Sequence, residues 1–311
     1  MRIAFQKTLQ RALGANSEIM LLTGDLGYSV FEPIRDEFPD QYVNCGVAEQ
    51  GMMSIAAGLA LSGKTVFAYS IVPFASMRAF EQVRDDIAYQ NLSVKVVGVG
   101  QGFSYGHMGV THYALEDVAI MRALPNLTVV CPADPLETEA VMDFAVQYSG
   151  PMYIRLGKAG EKNVFAAKPD FIPGRFAILE EGQDVAIFAA GPIAAHALAA
   201  GTILRAEGIS CRIIAASSVK PVDKETIARA AADCRLLISV EEHSVIGGLG
   251  SALAEVLAED VSAAPLVRLG VPDEFPKTIG SQDYLRDHYG LTPSKIAESV
   301  RHYLRKRSPR K

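Results

Sequence analysis

One carboxylate, Glu49, stands where a turn meets an almost wholly apolar helical stretch. The turn contains Asn44 and Gly46, and the stretch continues through Met52 and Ile55. Burying a carboxylate among such side chains costs free energy unless a specific partner satisfies it, and a buried carboxyl group can hold or share a proton near neutral pH. Glu49 is therefore a candidate acid–base residue. The other interpretation is a first-turn Glu favoured by the helix dipole, and these residues alone leave both open.

Polar and aromatic side chains follow several predicted strands. Asp25 comes after the first strand, where a turn or helix-capping role is the alternative to a functional one. Phe74 follows Pro73 in the next post-strand loop and could pack in the core or stack on a planar ring. The third strand runs into a glycine-rich segment that contains His107 and His112. Because these two His residues lack metal-helix spacing, the sequence predicts no metal site on them.

Alternating apolar and amphipathic segments must position these residues. In the first half, apolar runs predict buried strands at residues 19–22, 65–69, 94–99, 127–131 and 151–156. Helical spacing occurs between them at residues 50–61 and 78–89. This alternation predicts βαβ units and a parallel sheet covered on both faces. Function is then expected in the loops at the carboxyl ends of the strands.

The second half repeats the pattern. Strands are predicted at 184–190, 210–215, 235–240 and 266–269, and helices at 192–207, 224–232 and from 250 to 257. A polar stretch at 157–170, with Gly157, Gly160 and Pro169, is the predicted linker. The chain should therefore form two doubly wound α/β domains with mostly parallel sheets, at residues 1–160 and 171–311.

Composition narrows the class of protein. The 311 residues are 49% hydrophobic and 21% charged with a net charge of −5, which describes a globular protein with a large core. The sequence has no basic stripe that would indicate a nucleic-acid partner, and it has no apolar run long enough to indicate a membrane segment. The four cysteines are far apart and form no Cys-x-x-Cys pair, which argues against a zinc site. Free thiols favour a reducing compartment, so a cytoplasmic location is expected.

Taken together, the motifs resemble the C-terminal section of a transketolase, the form found as a separate subunit in split-gene transketolases. The resemblance covers nearly the whole chain and implies a thiamine diphosphate-binding pyrimidine domain followed by a transketolase C-terminal domain. The matching blocks are Gly-Val-Ala-Glu-Gln at 46–50, Ala-Ala-Gly-Leu-Ala at 56–60, the aromatic loop at 67–74, Gly-Val-Thr-His at 109–112, Met-Arg-Ala-Leu-Pro-Asn at 121–126 and Pro-Ala-Asp at 132–134.

The resemblance implies a cofactor, thiamine diphosphate, and assigns it contacts. Glu49 would contact N1′ of the aminopyrimidine ring and share a proton with it. Phe74 would stack on that ring, with Ser70 and Ile71 lining the same pocket. Asp25 would lie near the thiazolium ring and the subunit interface.

The resemblance also implies a substrate site. His112 would face the reacting carbons, and Arg155 would bind a phosphate or carboxylate end of the substrate through its planar fork. A domain-interface ion pair is the alternative for Arg155. Two positions depart from the family: Gly100 replaces a His, and Met108 replaces the Asp of Gly-Glu-Asp-Gly. In the family those side chains form hydrogen bonds with sugar hydroxyls, so the identity of the donor and acceptor substrates stays open. His107 could supply one of the missing contacts.

One motif of the family is missing. The chain lacks Gly-Asp-Gly followed by Asn, which holds the cofactor diphosphate through Mg²⁺. The resemblance therefore implies that the Mg²⁺ ligands come from a partner, the N-terminal diphosphate-binding transketolase subunit, in an α2β2 assembly. The expected reaction transfers a two-carbon unit between small sugar or keto substrates. The alternatives are a decarboxylating carboligase, similar to 1-deoxyxylulose-5-phosphate synthase or a pyruvate dehydrogenase beta subunit, and a non-catalytic scaffold.

Overall fold

A computed structural model of the chain describes residues 1–259 and 264–307. Its strands are β1 (Ile19–Thr23), β2 (Tyr42–Asn44), β3 (Thr65–Ile71), β4 (Val94–Val99), β5 (Thr128–Val130), β6 (Met152–Leu156), β7 (Ala177–Glu180), β8 (Val185–Ala190), β9 (Cys211–Ala215), β10 (Ser218–Lys220), β11 (Leu236–Ser244) and β12 (Leu266–Val271). Its α-helices are α1 (Arg2–Ala15), α2 (Glu32–Glu37), α3 (Glu49–Leu61), α4 (Phe80–Gln82), α5 (Asp117–Ala123), α6 (Pro135–Gln147), α7 (Ala194–Ala206), α8 (Lys224–Asp233), α9 (Leu249–Ala258), α10 (Gln282–His288) and α11 (Pro293–Arg307).

The first sheet has the order β10-β5-β6-β4-β3-β1-β2. From β5 to β2 every neighbouring pair is parallel. Its central strands are mostly apolar and are buried along their length, as expected for a sheet covered by helices on both faces. Because the strands are parallel, the loops that follow β1, β3, β4 and β6 lie along one edge of the sheet.

The second sheet has the order β12-β11-β8-β9-β7. Its pairs are parallel except for β7, which runs antiparallel to β9 at one edge. The predicted fold class, two α/β units with mostly parallel sheets, is confirmed. Within residues 1–259 and 264–307, no helix is both long enough and apolar enough to cross a membrane.

The two halves of the chain interlock through β10. This strand comes from the second half but pairs antiparallel with β5 at the edge of the first sheet. The predicted linker, residues 157–170, contains no helix or strand. The domain limits at 160 and 171 stay a prediction, and residues 260–263 and 308–311 of the second domain lie outside the described residues. Pairing of β10 with β5 is non-local, so no local pattern indicated it.

The helix predicted at 78–89 is more irregular than expected. Only α4 is α-helical there, and it lies between two wider π-helical segments, Phe74–Arg78 and Val83–Ala88. Such widened turns are often found at functional sites. Here the first segment begins at Phe74 and ends one turn later at Arg78, which brings these two side chains together.

Candidate active site

Glu49 is the first residue of α3, and its side chain is 1% exposed. Ser70 on β3 donates a hydrogen bond from Oγ to Oε1 of Glu49 at 2.9 Å. Arg78 donates from Nη1 to Oε2 at 2.6 Å. The two partners satisfy both carboxylate oxygens, and the helix N-terminus adds a favourable dipole. The buried carboxylate is thus held in one orientation near the carboxyl ends of the parallel strands of the first sheet.

Arg78 is a site residue that sequence reasoning missed. Its guanidinium carbon lies 4.1 Å from the centroid of the Phe74 ring, within cation–π distance. The side chain is 42% exposed, so it links the buried carboxylate to the surface of the site. A signal was present in the sequence, since an Arg four residues after an aromatic residue lies one helical turn away.

Gly24 lets this carboxylate pack close to the loop after β1. It directly follows β1, and a Cβ built on it would lie 3.2 Å from Oε1 of Glu49 and 3.4 Å from Oγ of Ser70. A side chain at 24 would crowd Glu49 and Ser70, and Phe74 lies on the neighbouring loop after β3. The predicted residues Glu49, Ser70 and Phe74 are therefore brought together by the fold.

His112 lies beside the same aromatic side chain. Its ring centroid is 5.1 Å from that of Phe74 and 6.0 Å from that of Tyr105. Thr111 Oγ1 is 2.9 Å from His112 Nδ1. Partial burial, and then the positive charge of Arg78, lower the pKa of His112 below its ordinary value. The imidazole is consequently neutral near pH 7 and can accept a proton or a hydrogen bond.

Asp25 and Ile71 lie at the carboxyl ends of neighbouring strands. Asp25 has a positive φ of 55° and follows β1. Its Oδ1 accepts hydrogen bonds from Asn44 Nδ2 at 2.9 Å and from the Tyr28 hydroxyl at 3.1 Å. Ile71 is buried as the last residue of β3, next to Ser70. Asp25 is thus fixed in a strained turn, and its role toward a ligand stays a prediction.

Arg155 is enclosed by protein groups. The side chain is 1% exposed and forms two hydrogen bonds with Asp117, from Nε at 2.8 Å and from Nη2 at 3.1 Å. Nη1 donates to Gln101, and Nη2 also donates to the carbonyl oxygens of Ala114 and Glu242. These contacts join the two halves of the chain. They favour the ion-pair interpretation of Arg155 over the substrate-binding one.

The three remaining candidates lie on the loop after β4. Gly100 has a positive φ of 88°, and a Cβ there would lie 2.1 Å from the ring of Tyr105. His107 is exposed, and Met108 is 59% exposed, so neither is in the core. Among the described residues, no group of three or more His, Cys, Asp or Glu side chains could hold a metal ion.

Comparisons with known proteins agree with this architecture. Residues 1–160 match the transketolase pyrimidine binding domain, and residues 174–296 match the transketolase C-terminal domain. A putative transketolase C-terminal section from Methanocaldococcus jannaschii is 38% identical over 309 residues, which cover 98% of this chain and 96% of the relative. A subunit of the apulose-4-phosphate transketolase from Phocaeicola vulgatus is also 38% identical, over 98% of this chain and 97% of the relative.

A solved structure described as a split gene transketolase, inactive beta4 tetramer, superposes with a TM-score of 0.87. It is 40% identical in sequence, and the match covers 96% of each chain. Both domain matches, the full-length relatives and the shared fold lead to one conclusion. The chain belongs to the transketolase family, as the section that carries the pyrimidine-binding and C-terminal domains.

Proposed function

We propose that this chain is one subunit of a two-chain, thiamine diphosphate-dependent transketolase that transfers a two-carbon unit between sugar or keto substrates. The observation that carries the proposal is the buried Glu49 carboxylate, held by Ser70 and Arg78 beside the Phe74 ring. An inert capping Glu needs neither a buried position nor an aromatic neighbour. A non-catalytic scaffold would have no use for this arrangement.

The residues present fit the aminopyrimidine end of the cofactor. Phe74 offers an aromatic ring for stacking close to the buried carboxylate, to which it is linked through Arg78. Glu49 would hold a proton at the ring nitrogen, with Ser70 orienting the carboxylate and Ile71 closing the pocket. When bound, the cofactor supplies a carbon nucleophile that adds to the substrate carbonyl. His112, neutral near pH 7, would then accept a hydrogen bond or proton from the substrate.

The diphosphate end requires another chain. The metal-binding motif of the family is missing from the sequence, and the described residues offer no cluster of metal ligands. Mg²⁺ ligands would come from the N-terminal transketolase subunit in an α2β2 heterotetramer, because closed two-fold symmetry makes two shared sites the minimum. The solved relative, a beta4 tetramer described as inactive, supports the need for a partner.

Two further assignments complete the proposal. The Phocaeicola vulgatus relative is named for a phosphorylated sugar, and a sugar phosphate is the substrate class that we propose here. All four cysteines are free thiols, and three of them are buried, which suits a reducing cytoplasm.

The proposal is tested by purifying the chain with and without a partner that carries the Gly-Asp-Gly motif. Calorimetry with thiamine diphosphate and Mg²⁺ should detect tight binding only for the complex, and only the complex should turn over. Two-carbon transfer without release of carbon dioxide is expected. Stoichiometric carbon dioxide would favour the decarboxylating alternative, and micromolar, Mg²⁺-dependent cofactor binding to this chain alone would contradict the two-chain site.

A further inference from the structure

A cavity of about 280 Å³ is lined by both halves of the chain. Gln101, Ser104 and Gly157, on the loops after β4 and β6, form one wall. Pro192, just before α7, and Arg286, on α10, belong to another wall. The side chains that we assign to the aminopyrimidine ring and to the reacting carbons do not line this cavity. It is therefore a separate space from the candidate active site.

Gln101 brings an unpartnered donor to this cavity. The residue is 3% exposed, and Nη1 of Arg155 donates a hydrogen bond to its Oε1 at 3.1 Å. Because a guanidinium group can only donate, this contact fixes the amide with its oxygen toward Arg155 and leaves Nε2 as the donor. Nε2 is buried and has no hydrogen-bond partner in the part of the chain that the structure describes. A buried N–H group without an acceptor is unfavourable, so a ligand that supplies an acceptor would be stabilised here.

The groups around the cavity favour an anion. Arg286 donates from Nε to Glu242 at 2.6 Å and lies 3.5 Å from Asp283. A guanidinium group has five N–H donors, so these contacts leave others for a ligand. Lys162 adds an exposed ammonium group. The helices α7 and α11 begin at the cavity, and the positive ends of their dipoles also favour a negative charge there.

The other ionisable groups of the cavity are neutral or paired. Nδ1 of His196 lies 2.9 Å from the carbonyl oxygen of Leu291 and so carries the proton, which leaves Nε2 as an acceptor. Burial lowers the pKa of His196, so the ring is neutral near pH 7. Glu161 forms an ion pair with the amino group of Met1 at 3.1 Å. Both carboxylates that line the cavity, Glu161 and Asp283, are thus paired with cations.

The cavity is also connected to the loop that carries His112. Gln282 and Arg286, which line it, donate to the buried carboxylate of Glu242 at 2.8 and 2.6 Å. The same carboxylate accepts a hydrogen bond from the backbone N–H of Phe103 at 2.6 Å. Phe103 lies on the loop after β4 that continues to His112. An anion bound to Arg286 would therefore act on this loop through one shared carboxylate.

We propose that this cavity binds a small organic carboxylate, with Nε2 of Gln101 and the guanidinium group of Arg286 as donors from the two halves of the chain. A carboxylate has two coplanar oxygens, which one amide nitrogen and one planar guanidinium group can serve together. The volume is just below the usual range of about 300–1,000 Å³ for drug-sized ligands, so the molecule is small. The inference goes beyond the proposed function, since it requires neither the cofactor nor a reaction.

The test titrates the full chain with sodium succinate, which has two carboxylates and no aldehyde or ketone group. Calorimetry should detect one saturable site per chain, and succinamide, the neutral analogue, should not bind. Gln101→Glu keeps the volume and the acceptor for Arg155 but replaces the free donor with a negative charge. It should raise the Kd for succinate at least about tenfold. Lack of saturable succinate binding, an equal Kd for succinamide or an unchanged Kd in Gln101→Glu would overturn the site.

Two further variants locate the bound anion. Ala195→Leu fills the cavity from α7 without a change of charge and should abolish succinate binding. Ala232→Leu is the matched control, because Ala232 is exposed on α8, and it should bind succinate as the wild type does. In NMR titrations, bound succinate should raise the pKa of His196 in the wild type but not in Ala195→Leu. Binding that survives Ala195→Leu, or a pKa of His196 that succinate leaves unchanged, would place the anion elsewhere and contradict the proposal.

Discussion

Arg78 pairs with Glu49 and at the same time lies on the face of Phe74. Its Nη1 is 2.6 Å from Oε2 of the carboxylate, and its guanidinium carbon is 4.1 Å from the ring centroid. The flat guanidinium group donates to the buried carboxylate and lies on the aromatic ring. These are the two contacts that we assign to the aminopyrimidine ring of the cofactor. Arg78 is therefore the side chain that compensates the buried charge of Glu49 in this chain.

Removing that cation should destabilise the chain. Arg78→Met leaves the Glu49 carboxylate buried with Ser70 as its one side-chain partner. A fully buried pair would lose about 3–5 kcal/mol on the removal of one member, and because Arg78 is 42% exposed we expect about 1–2 kcal/mol. Urea unfolding measures the change in free energy of unfolding. In a Glu49→Gln background the same substitution should cost much less, and equal costs in both backgrounds would contradict the pairing.

The protonation of His112 should also depend on Arg78. Burial and the Arg78 charge both lower the pKa of His112, so in the folded chain the ring gains its proton at lower pH than in the unfolded chain. This group therefore contributes stability above the ordinary pKa of about 6.5 that is lost as pH falls through the folded-state pKa. In Arg78→Met, NMR titration of the ring protons should show the pKa of His112 rising toward the ordinary value.

His196 is the internal control for that titration. The pKa of His196 is lowered mainly by burial, and Arg78 is not among the charged groups that shift it. The pKa of His196 should stay the same in the Arg78→Met variant. A parallel rise in both His residues would indicate a general loosening of the fold, and an unchanged His112 would contradict its coupling to Arg78.

Breaking the buried pair of Arg155 and Asp117 should destabilise the chain far more than breaking a surface pair. Asp117→Asn leaves the Arg155 guanidinium buried without its counter-charge, and we expect a loss of about 3–5 kcal/mol in the free energy of unfolding. The control is Glu255→Gln, which breaks the pair with Arg122 where the carboxylate is 63% exposed. That loss should be about 1 kcal/mol or less. Similar losses in both variants would contradict a structural role for Arg155.

Much of the fold could be predicted because its signals are local. Residues that are neighbours in the sequence are enough to predict the apolar runs of β1, β3, β4 and β6 and the helical spacing of α3. Parallel pairing then follows from the alternation, and with it the placement of Ser70 and Glu49 at one edge. The edge strand β10 has no such signal, because its pairing with β5 is decided by packing between the two halves.

The features of the site that the sequence did not predict also depend on contacts between side chains. Arg155 could be assigned either to the substrate or to an ion pair, because its partner Asp117 is 38 residues away in the chain. Arg78 was missed because its four-residue spacing from Phe74 is common on helices and its partner Glu49 is 29 residues away in the chain. A side chain at position 100 would have to displace the ring of Tyr105, a contact that the sequence did not predict. Each of these facts depends on geometry between side chains.

The central claim is that Glu49 holds and shares a proton with the cofactor, and Glu49→Gln tests it most directly. Gln keeps the volume and the hydrogen-bonding reach of Glu but cannot share that proton. The variant should assemble with the partner chain and bind thiamine diphosphate with near wild-type affinity. Hydrogen–deuterium exchange at C2 of the bound cofactor should slow at least about a hundredfold, as expected for loss of a positioned acid–base group. Near wild-type exchange in a folded, cofactor-loaded complex would contradict the claim.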